Sequence, residues 1–318
     1  MSHAKLLILG SGPAGYTAAI YAARALVEPV IVGGHEVGGQ MATTTDVENY
    51  PGFADIIHGP WLMEQMRAQA KNVGTRFVSA MATRIDFSVR PFRVILDRGE
   101  PWTCDALVLA TGAKARWLGL PSEEKYKGSG VSACATCDGF FYKNREVVVV
   151  GGGNTAVEEA LYMANIASKV TIVHRRSEFR AERLLQQRLL QRENVQVIWN
   201  SAVEEVFGED SPPSMTGLRI RNLTTNELAD IKADGLFVAI GHEPATALVK
   251  DHLRLKPNGY VWTQPNSTAT SIPGVFAAGD VTDEIFRQAV TAAGMGCMAA
   301  LEAEKYLQMA EAHSEAAE

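Results

Sequence analysis

Two glycine-rich turns constrain this chain more than any other feature: Gly10-Ser11-Gly12-Pro13-Ala14-Gly15 and Gly151-Gly152-Gly153-Asn154-Thr155-Ala156. Each follows a short apolar run, 6–9 and 147–150, and each opens a stretch with helical patterning, 13–25 and 155–166. A Gly-x-Gly-x-x-Gly/Ala turn between a strand and a helix is the dinucleotide fingerprint. Its first glycine permits the tight turn, its second lets backbone approach a pyrophosphate, and its third allows close helix–strand packing. The helix N-terminus then favours the anion. Two such turns in one chain imply two dinucleotide-binding cores.

The rest of the pattern agrees with an α/β fold on parallel sheets. Residues 30–32, 107–112, 170–173 and 236–241 read as strands, and 61–73 and 178–191 as helices, the last Gln-rich and carrying Arg180, Arg183 and Arg188. The run 236–241 repeats the apolar-strand-then-glycine logic of 107–112. A further strand-like run, 275–280, follows the second core. If it completes the first core, the first domain is discontinuous with the second inserted into it; the alternative is a tandem pair with a third small lobe. The tail from Glu311 is short, polar and Ala-rich, and is expected to fray.

Bulk properties narrow the function. The 318 residues suffice for two domains, and 47% hydrophobic with 21% charged residues is ordinary for a globular protein. A net charge of −6 argues against nucleic acid or an anionic membrane as partner. No apolar stretch approaches the roughly 18 residues of a membrane span. The run 6–9 is also shorter than the roughly 7–15 residues of a signal-peptide core. A cytoplasmic location is expected.

Of four cysteines, Cys104 and Cys297 sit in apolar or small-residue runs and are expected to be buried and inert. Cys134-Ala135-Thr136-Cys137-Asp138 is a motif. A zinc site needs four ligands, and the usual second CxxC or HxxxH is absent. Two buried structural cysteines, or a redox dithiol whose thiolate attacks a disulfide, are the other readings. Asp138 is placed to move a proton on or off a thiolate, or else to make a turn before Gly139. The second fingerprint's next strand ends in His174-Arg175-Arg176, with Arg180 beyond. Cations at that position favour a 2′-phosphate, hence NADP(H) over NAD(H). The first fingerprint lacks the usual acid there and has Gly33-Gly34-His35-Glu36 instead. Asp280, after an apolar run, suits a nucleotide's ribose or ribityl hydroxyls, with helix capping as the alternative. Arg287-Gln288-Ala289 follows at the start of the last helix, where backbone amides are expected to point at a flavin ring.

In order along the chain, residues 10–15, Gly38-Gly39-Gln40, Glu48-Asn49-Tyr50-Pro51-Gly52, Ala110-Thr111-Gly112, Cys134 to Asp138, 151–156, His174-Arg175-Arg176 and Gly279-Asp280 resemble the motifs of the low-molecular-weight, bacterial-type thioredoxin reductases. The resemblance runs to about Tyr306. It implies an FAD-binding domain in two parts, 1–113 and 244–318, around an inserted NADPH-binding domain, 114–243, that carries the CxxC. It further implies a homodimer that reduces oxidised thioredoxin in the cytoplasm. Ser11, Gly12, Pro13, Ala14, Gly38, Gly39, Gln40, Asn49, Asp280, Arg287, Gln288 and Ala289 would contact FAD. Gly151, Gly153, Asn154, Thr155, Ala156 and His174 would belong to the NADPH site, and Arg175, Arg176 and Arg180 would hold its 2′-phosphate. Cys137 would face the flavin, Cys134 would exchange with thioredoxin, and Asp138 would be the acid/base. Phe140-Phe141 resembles an aromatic pair that docks thioredoxin; Ser129 stands where close members often carry a basic residue.

A dithiol carried by the NADPH domain must reach both the flavin and a protein partner. Rotation of one domain against the other is therefore expected, with hinges near 112–114 and 241–244. Competing readings keep the relay but change the acceptor, to a peroxiredoxin-type partner or O2, or make the dithiol a redox sensor.

Overall fold

The computed structural model describes residues 2–44 and 46–315. The chain forms two compact units, Met1–Lys114 with Glu243–Glu318, and Ala115–His242.

The first unit is built on the strand Ser2–Leu9, whose residues Leu6, Leu7, Ile8 and Leu9 are all buried. A strand apolar on both faces belongs in the interior of a parallel sheet. It pairs in parallel with Val30–Val32 on one side and Trp102–Leu109 on the other. Alternate residues feed two cores. Leu6, Ile8, Ala106 and Val108 pack under the helices Pro13–Arg24, Gly59–Asn72 and Ala289–Glu315. Leu7, Leu9, Leu107 and Leu109 pack against the antiparallel strands Ala82–Asp86 and Phe92–Leu96 and against Val249, Leu253 and Val261. Val275–Ala277 joins this sheet, in parallel register Val275↔Leu107 to Ala277↔Leu109. Residues from beyond the second unit thus complete the first sheet.

The second unit has a parallel sheet in the order Val131–Ser132, Gly235–Val238, Glu146–Val150, Lys169–Val173, Val195–Ile198. Val147, Val149 and Ile172 pack under the helix Asn154–Ala164. Val148, Val150 and Val173 pack against an antiparallel sheet made of Ser201–Asp210, Pro213–Asn222 and Leu228–Lys232.

Three local expectations change. The helix expected over 178–191 spans only Arg183–Leu190. Phe179 and Ala181 are drawn into the core, and Arg180 N donates to Gly152 O (2.7 Å), so 178–182 cannot close helical hydrogen bonds. The tail expected to fray from Glu311 is helical through Glu315, and Lys5 Nζ meets the Glu311 carboxylate at 2.7 Å; residues 316–318 lie outside the described residues. Cys297 is half-buried rather than buried, and interacts with Tyr21 of the helix Pro13–Arg24. Cys104 is fully buried and its thiol is pushed up to about 12 by burial, which makes it a poor nucleophile. Among the described residues no helix is long and apolar enough to cross a membrane, and no three or more His, Cys, Asp or Glu gather as a metal site.

Candidate active site and nucleotide cradles

In the first unit the glycine turn sits between the strand Ser2–Leu9 and the helix Pro13–Arg24. Two of its glycines are required by backbone packing. A Cβ at Gly10 (φ +112°) would overlap Ala110 O, and one at Gly15 would overlap Gly10 O. Gly12 differs: its backbone is extended (φ −77°, ψ −173°), and a Cβ there would meet nothing within 4 Å. That open space, beside first-turn amides with no intrahelical acceptor, is a cradle for a pyrophosphate.

The segments expected around this turn are partly brought together. Ser11 is buried, and its hydroxyl is spent on the scaffold: Oγ donates to Gly33 O (2.9 Å) and accepts from Gly38 N (3.1 Å). This clamps Gly38-Gly39 onto the turn, where a Cβ at Gly39 would lie 3.6 Å from Gly12 Cα. Pro13 and Ala14 are buried and offer only backbone, while Gln40 is exposed. Gly279 packs against Ala14, which brings Asp280 to the same end of the helix. Asn49 Nδ2 donates to Gln288 Oε1 (3.3 Å) across 239 positions of sequence.

The loop before the last helix is held by its own hydrogen bonds. Arg287 N donates to Asp283 Oδ2 (3.0 Å) and Gln288 N to Thr291 Oγ1 (3.3 Å), so two of the three amides expected to face a flavin are already engaged. Asp283 Oδ1 also accepts from Ile285 N (3.0 Å) and Phe286 N (2.9 Å). Asp283, which the sequence reading passed over, therefore organises the loop and holds Arg287 at φ +49°. An acid starting a turn two to three residues ahead of the amides it caps is a recognisable Asx pattern.

Asp280 is half-buried, and burial pushes its carboxyl up to about 7, with the Asp283 charge adding and Arg287 opposing. A carboxyl raised above its ordinary value near 4 binds its proton more tightly folded than unfolded. Its contribution to stability is complete below about pH 4 and is lost as pH rises through about 7. The flavin-free protein is thus expected to lose Tm across that window, and Asp280→Asn to flatten the loss. Melting curves of both proteins against pH check this; an unchanged slope in Asp280→Asn would remove Asp280 as the cause.

In the second unit Gly151 (φ +151°) passes close under Ala239 O, and Ala156 is buried. Gly153 is extended, and a Cβ there would meet nothing within 4 Å, a second open cradle at a helix N-terminus. Asn154 turns toward the segment after the next strand: Oδ1 accepts from Glu182 N (2.9 Å) and Nδ2 donates to Glu182 Oε1 (3.3 Å). Thr155 is half-buried at the first turn. Arg175, Arg176 and Arg180 are exposed, and none has an ion pair among the described residues. His174 is buried instead. A Cβ at Gly152 would overlap its ring, and Nε2 lies 3.1 Å from Glu178 O. Burial holds its imidazole below the usual range, with the three arginines adding to that.

The dithiol belongs to this unit. Cys134 and Cys137 are joined in a disulfide, both half-buried, around the one-turn helix Ala135–Asp138. Cys134 N donates to Ser132 Oγ (3.0 Å), and Cys137 N donates to Cys134 Sγ (3.2 Å). An amide aimed at that sulfur favours negative charge on it. Ser132, missed in the sequence, fixes the loop. Asp138 is half-buried near Tyr142, whose hydroxyl is pushed up to about 12 by burial first and the Asp138 charge second. Phe140 and Phe141, next to the dithiol, are 60% and 40% exposed.

Two open dinucleotide cradles and a closed disulfide define a dinucleotide-dependent disulfide oxidoreductase. Comparison with known proteins agrees. The pyridine nucleotide-disulphide oxidoreductase family matches residues 4–296. A thioredoxin reductase of Rickettsia conorii is 56% identical over 303 residues, covering 95% of this chain and 98% of that protein. One of Escherichia coli O157:H7 is 56% identical over 313 residues, covering 96% of each. Among solved structures, thioredoxin reductase from Giardia duodenalis superposes with a TM-score of 0.92 at 41% identity, covering 97% of this chain and 100% of that one. The Lactococcus lactis enzyme in its FR conformation gives 0.65 at 37% identity, covering 96% and 99%. The chain belongs to the pyridine nucleotide-disulphide oxidoreductase family, and within it to the low-molecular-weight thioredoxin reductases.

Proposed function

We propose that the chain reduces the disulfide of oxidised thioredoxin with electrons from NADPH, carried through FAD and the Cys134/Cys137 pair. The observation that carries the reading is the Cys134–Cys137 disulfide in the same unit as the second cradle. FAD is assigned to the first unit, in the parts 1–113 and 244–318, and NADPH to residues 114–243. The fit rests on the open space at Gly12 and Gly153, which a side chain would fill. Arg175, Arg176 and Arg180, without acidic partners among the described residues, suit a 2′-phosphate and so NADPH over NADH.

Bound FAD supplies a two-electron carrier between the nicotinamide and the dithiol. The protein's own steps are exchange chemistry. With the pair reduced, the Cys134 thiolate attacks one sulfur of the thioredoxin disulfide and forms a mixed disulfide. The departing thiolate takes a proton, supplied by Asp138. The Cys137 thiolate then attacks Cys134 Sγ, which closes the internal disulfide and releases the second thioredoxin thiol after protonation. One NADPH and one proton yield NADP+ and two thioredoxin thiols. The Cys137 N–H at 3.2 Å from Cys134 Sγ supports Cys134 as the attacking sulfur.

Exposed Phe140 and Phe141 beside the dithiol support protein docking there. A homodimer and a cytoplasmic location complete the proposal; reduced free cysteines suit that compartment. Rotation of one unit on the other is proposed to alternate access to the flavin. It is supported by solved relatives of similar identity that superpose unequally, the less similar of the two being in its FR conformation.

The test is a visible spectrum with rate assays. The purified protein should show a flavin band that NADPH bleaches, and NADPH oxidation should require thioredoxin. Cross-linking the two units should stop turnover while one half-reaction persists. A colourless protein with both nucleotide sites filled would refute the class, and thioredoxin-independent oxidation would favour O2 as acceptor.

A further inference from the structure

The segment bearing the three arginines makes little regular structure of its own. Arg175–Glu182 joins the strand Lys169–Val173 to the helix Arg183–Leu190 and is neither strand nor helix. What holds it comes from elsewhere in the unit. Its start is tied to the turn that follows the strand Val195–Ile198: His174 N donates to Ile198 O (3.0 Å), Asn200 N to Arg176 O (3.1 Å) and Ser201 N to His174 O (3.0 Å). Its end is tied to the glycine turn through Arg180 N and Gly152 O (2.7 Å). Between these ties lies an aromatic stack. Trp199 and Phe179 have ring centroids 4.5 Å apart, and the His174 ring lies 5.7 Å from Phe179 and 6.1 Å from Trp199, edge-on to the indole. The His174 ring in turn underlies Gly152. One stack thus supports both the cradle and the arginines.

We propose that Trp199 is a positioning residue for recognition of the 2′-phosphate, and so sets this chain's preference for NADPH over NADH. The indole presses Phe179 into the core, and Phe179 is the residue immediately before Arg180. With the ring removed, Phe179 has room to move, Arg180 N loses its fixed approach to Gly152 O, and the Arg180 guanidinium loses its fixed place relative to Arg175 and Arg176. Mobile guanidiniums attract an anion still, but lose the fixed geometry in which a phosphate accepts several charge-assisted hydrogen bonds at once. The cradle keeps an independent hold through Gly151 and the first turn of the helix Asn154–Ala164. The larger effect therefore falls on the 2′-phosphate. This inference rests on the assignment of NADPH to the second cradle.

The experiment measures binding of adenosine 2′,5′-bisphosphate and of 5′-AMP by calorimetry to the flavin-loaded wild type and to Trp199→Ala, Trp199→Leu and Trp199→Phe. Wild type should prefer the bisphosphate. In Trp199→Ala its affinity should fall about tenfold and that for 5′-AMP by less than about twofold, as expected when well-placed charged hydrogen bonds are lost. Trp199→Phe should restore the preference, because a ring is kept against Phe179. In turnover assays KM for NADPH should rise with kcat unchanged, and KM for NADH should not move. If Trp199→Ala fails to fold, as judged by Tm and flavin content, Trp199→Leu decides, since it keeps bulk without a ring. Equal wild-type affinity for the two probes would remove NADPH from this cradle. Trp199→Leu should lose the preference as Trp199→Ala does; a wild-type preference retained in either folded variant would overturn the role given to Trp199 and leave the NADPH assignment standing.

Discussion

Replacing Cys134 by serine is expected to abolish thioredoxin reduction, by on the order of 10³-fold or more, while leaving reduction of the flavin by NADPH intact. The hydroxyl is close in shape to the thiol, so the short helix Ala135–Asp138 and the hydrogen bond from Cys134 N to Ser132 Oγ are retained. What is lost is the sulfur nucleophile, since serine is not ionised at neutral pH and forms no mixed disulfide. The converse variant separates the two sulfurs. Cys137→Ser keeps the attacking thiol but removes the one that resolves the intermediate. It should therefore accumulate a covalent adduct with thioredoxin, seen on a non-reducing gel. Steady-state NADPH oxidation with thioredoxin, and single-turnover bleaching of the flavin, read the two halves separately. Thioredoxin reduction retained in Cys134→Ser, with an adduct in that variant rather than in Cys137→Ser, would exchange the roles of the two cysteines.

The parts of this site legible in the sequence are those whose signal is steric or local. Gly10, Gly15 and Gly151 are glycine because backbone passes within the space a side chain would occupy, and that demand comes with a strand before it and a helix after it. The buried strands are legible because 6–9 and 147–150 are short, apolar without alternation and end at a glycine turn, as in a sheet covered on both faces. The order of the motifs carried the family resemblance.

What stayed hidden depends on contacts distant in sequence. The stretch 178–182 has helical composition, but Phe179 finds Trp199 across the unit, and that pairing overrides local propensity. His174 reads as a cofactor ligand beside Arg175 and Arg176, yet its ring turns inward under Gly152. Ser11 reads as a ligand contact within the fingerprint, whereas its hydroxyl bridges Gly33 and Gly38. In each case the side chain is spent on a partner distant in sequence, a distinction that no local pattern encodes.

Gly12 and Gly15 share one fingerprint and are expected to fail in opposite ways. A Cβ at Gly15 would overlap Gly10 O, and the helix Pro13–Arg24 cannot retreat because its buried face, including Tyr16, Ala18 and Ala19, is packed in the core. Gly15→Ala should therefore destabilise the whole protein by about 3 kcal/mol, the cost of overpacking a rigid interior, and lower Tm whether or not flavin is present. At Gly12 the backbone is extended, which any residue adopts, and the position is open to 4 Å. Gly12→Val should cost the flavin-free protein no more than about 1 kcal/mol, the penalty of an apolar residue at a helix N-cap. Its isopropyl group would instead stand where backbone must approach a pyrophosphate, so the variant should fold normally, purify colourless and be inactive. Flavin absorbance per mole of protein, set beside the Tm of the flavin-free form, separates the two outcomes. A yellow Gly12→Val protein with stoichiometric flavin would show that the open space at Gly12 is not the pyrophosphate site. The cradle would then lie elsewhere on the first unit, although the fold around it stands unchanged.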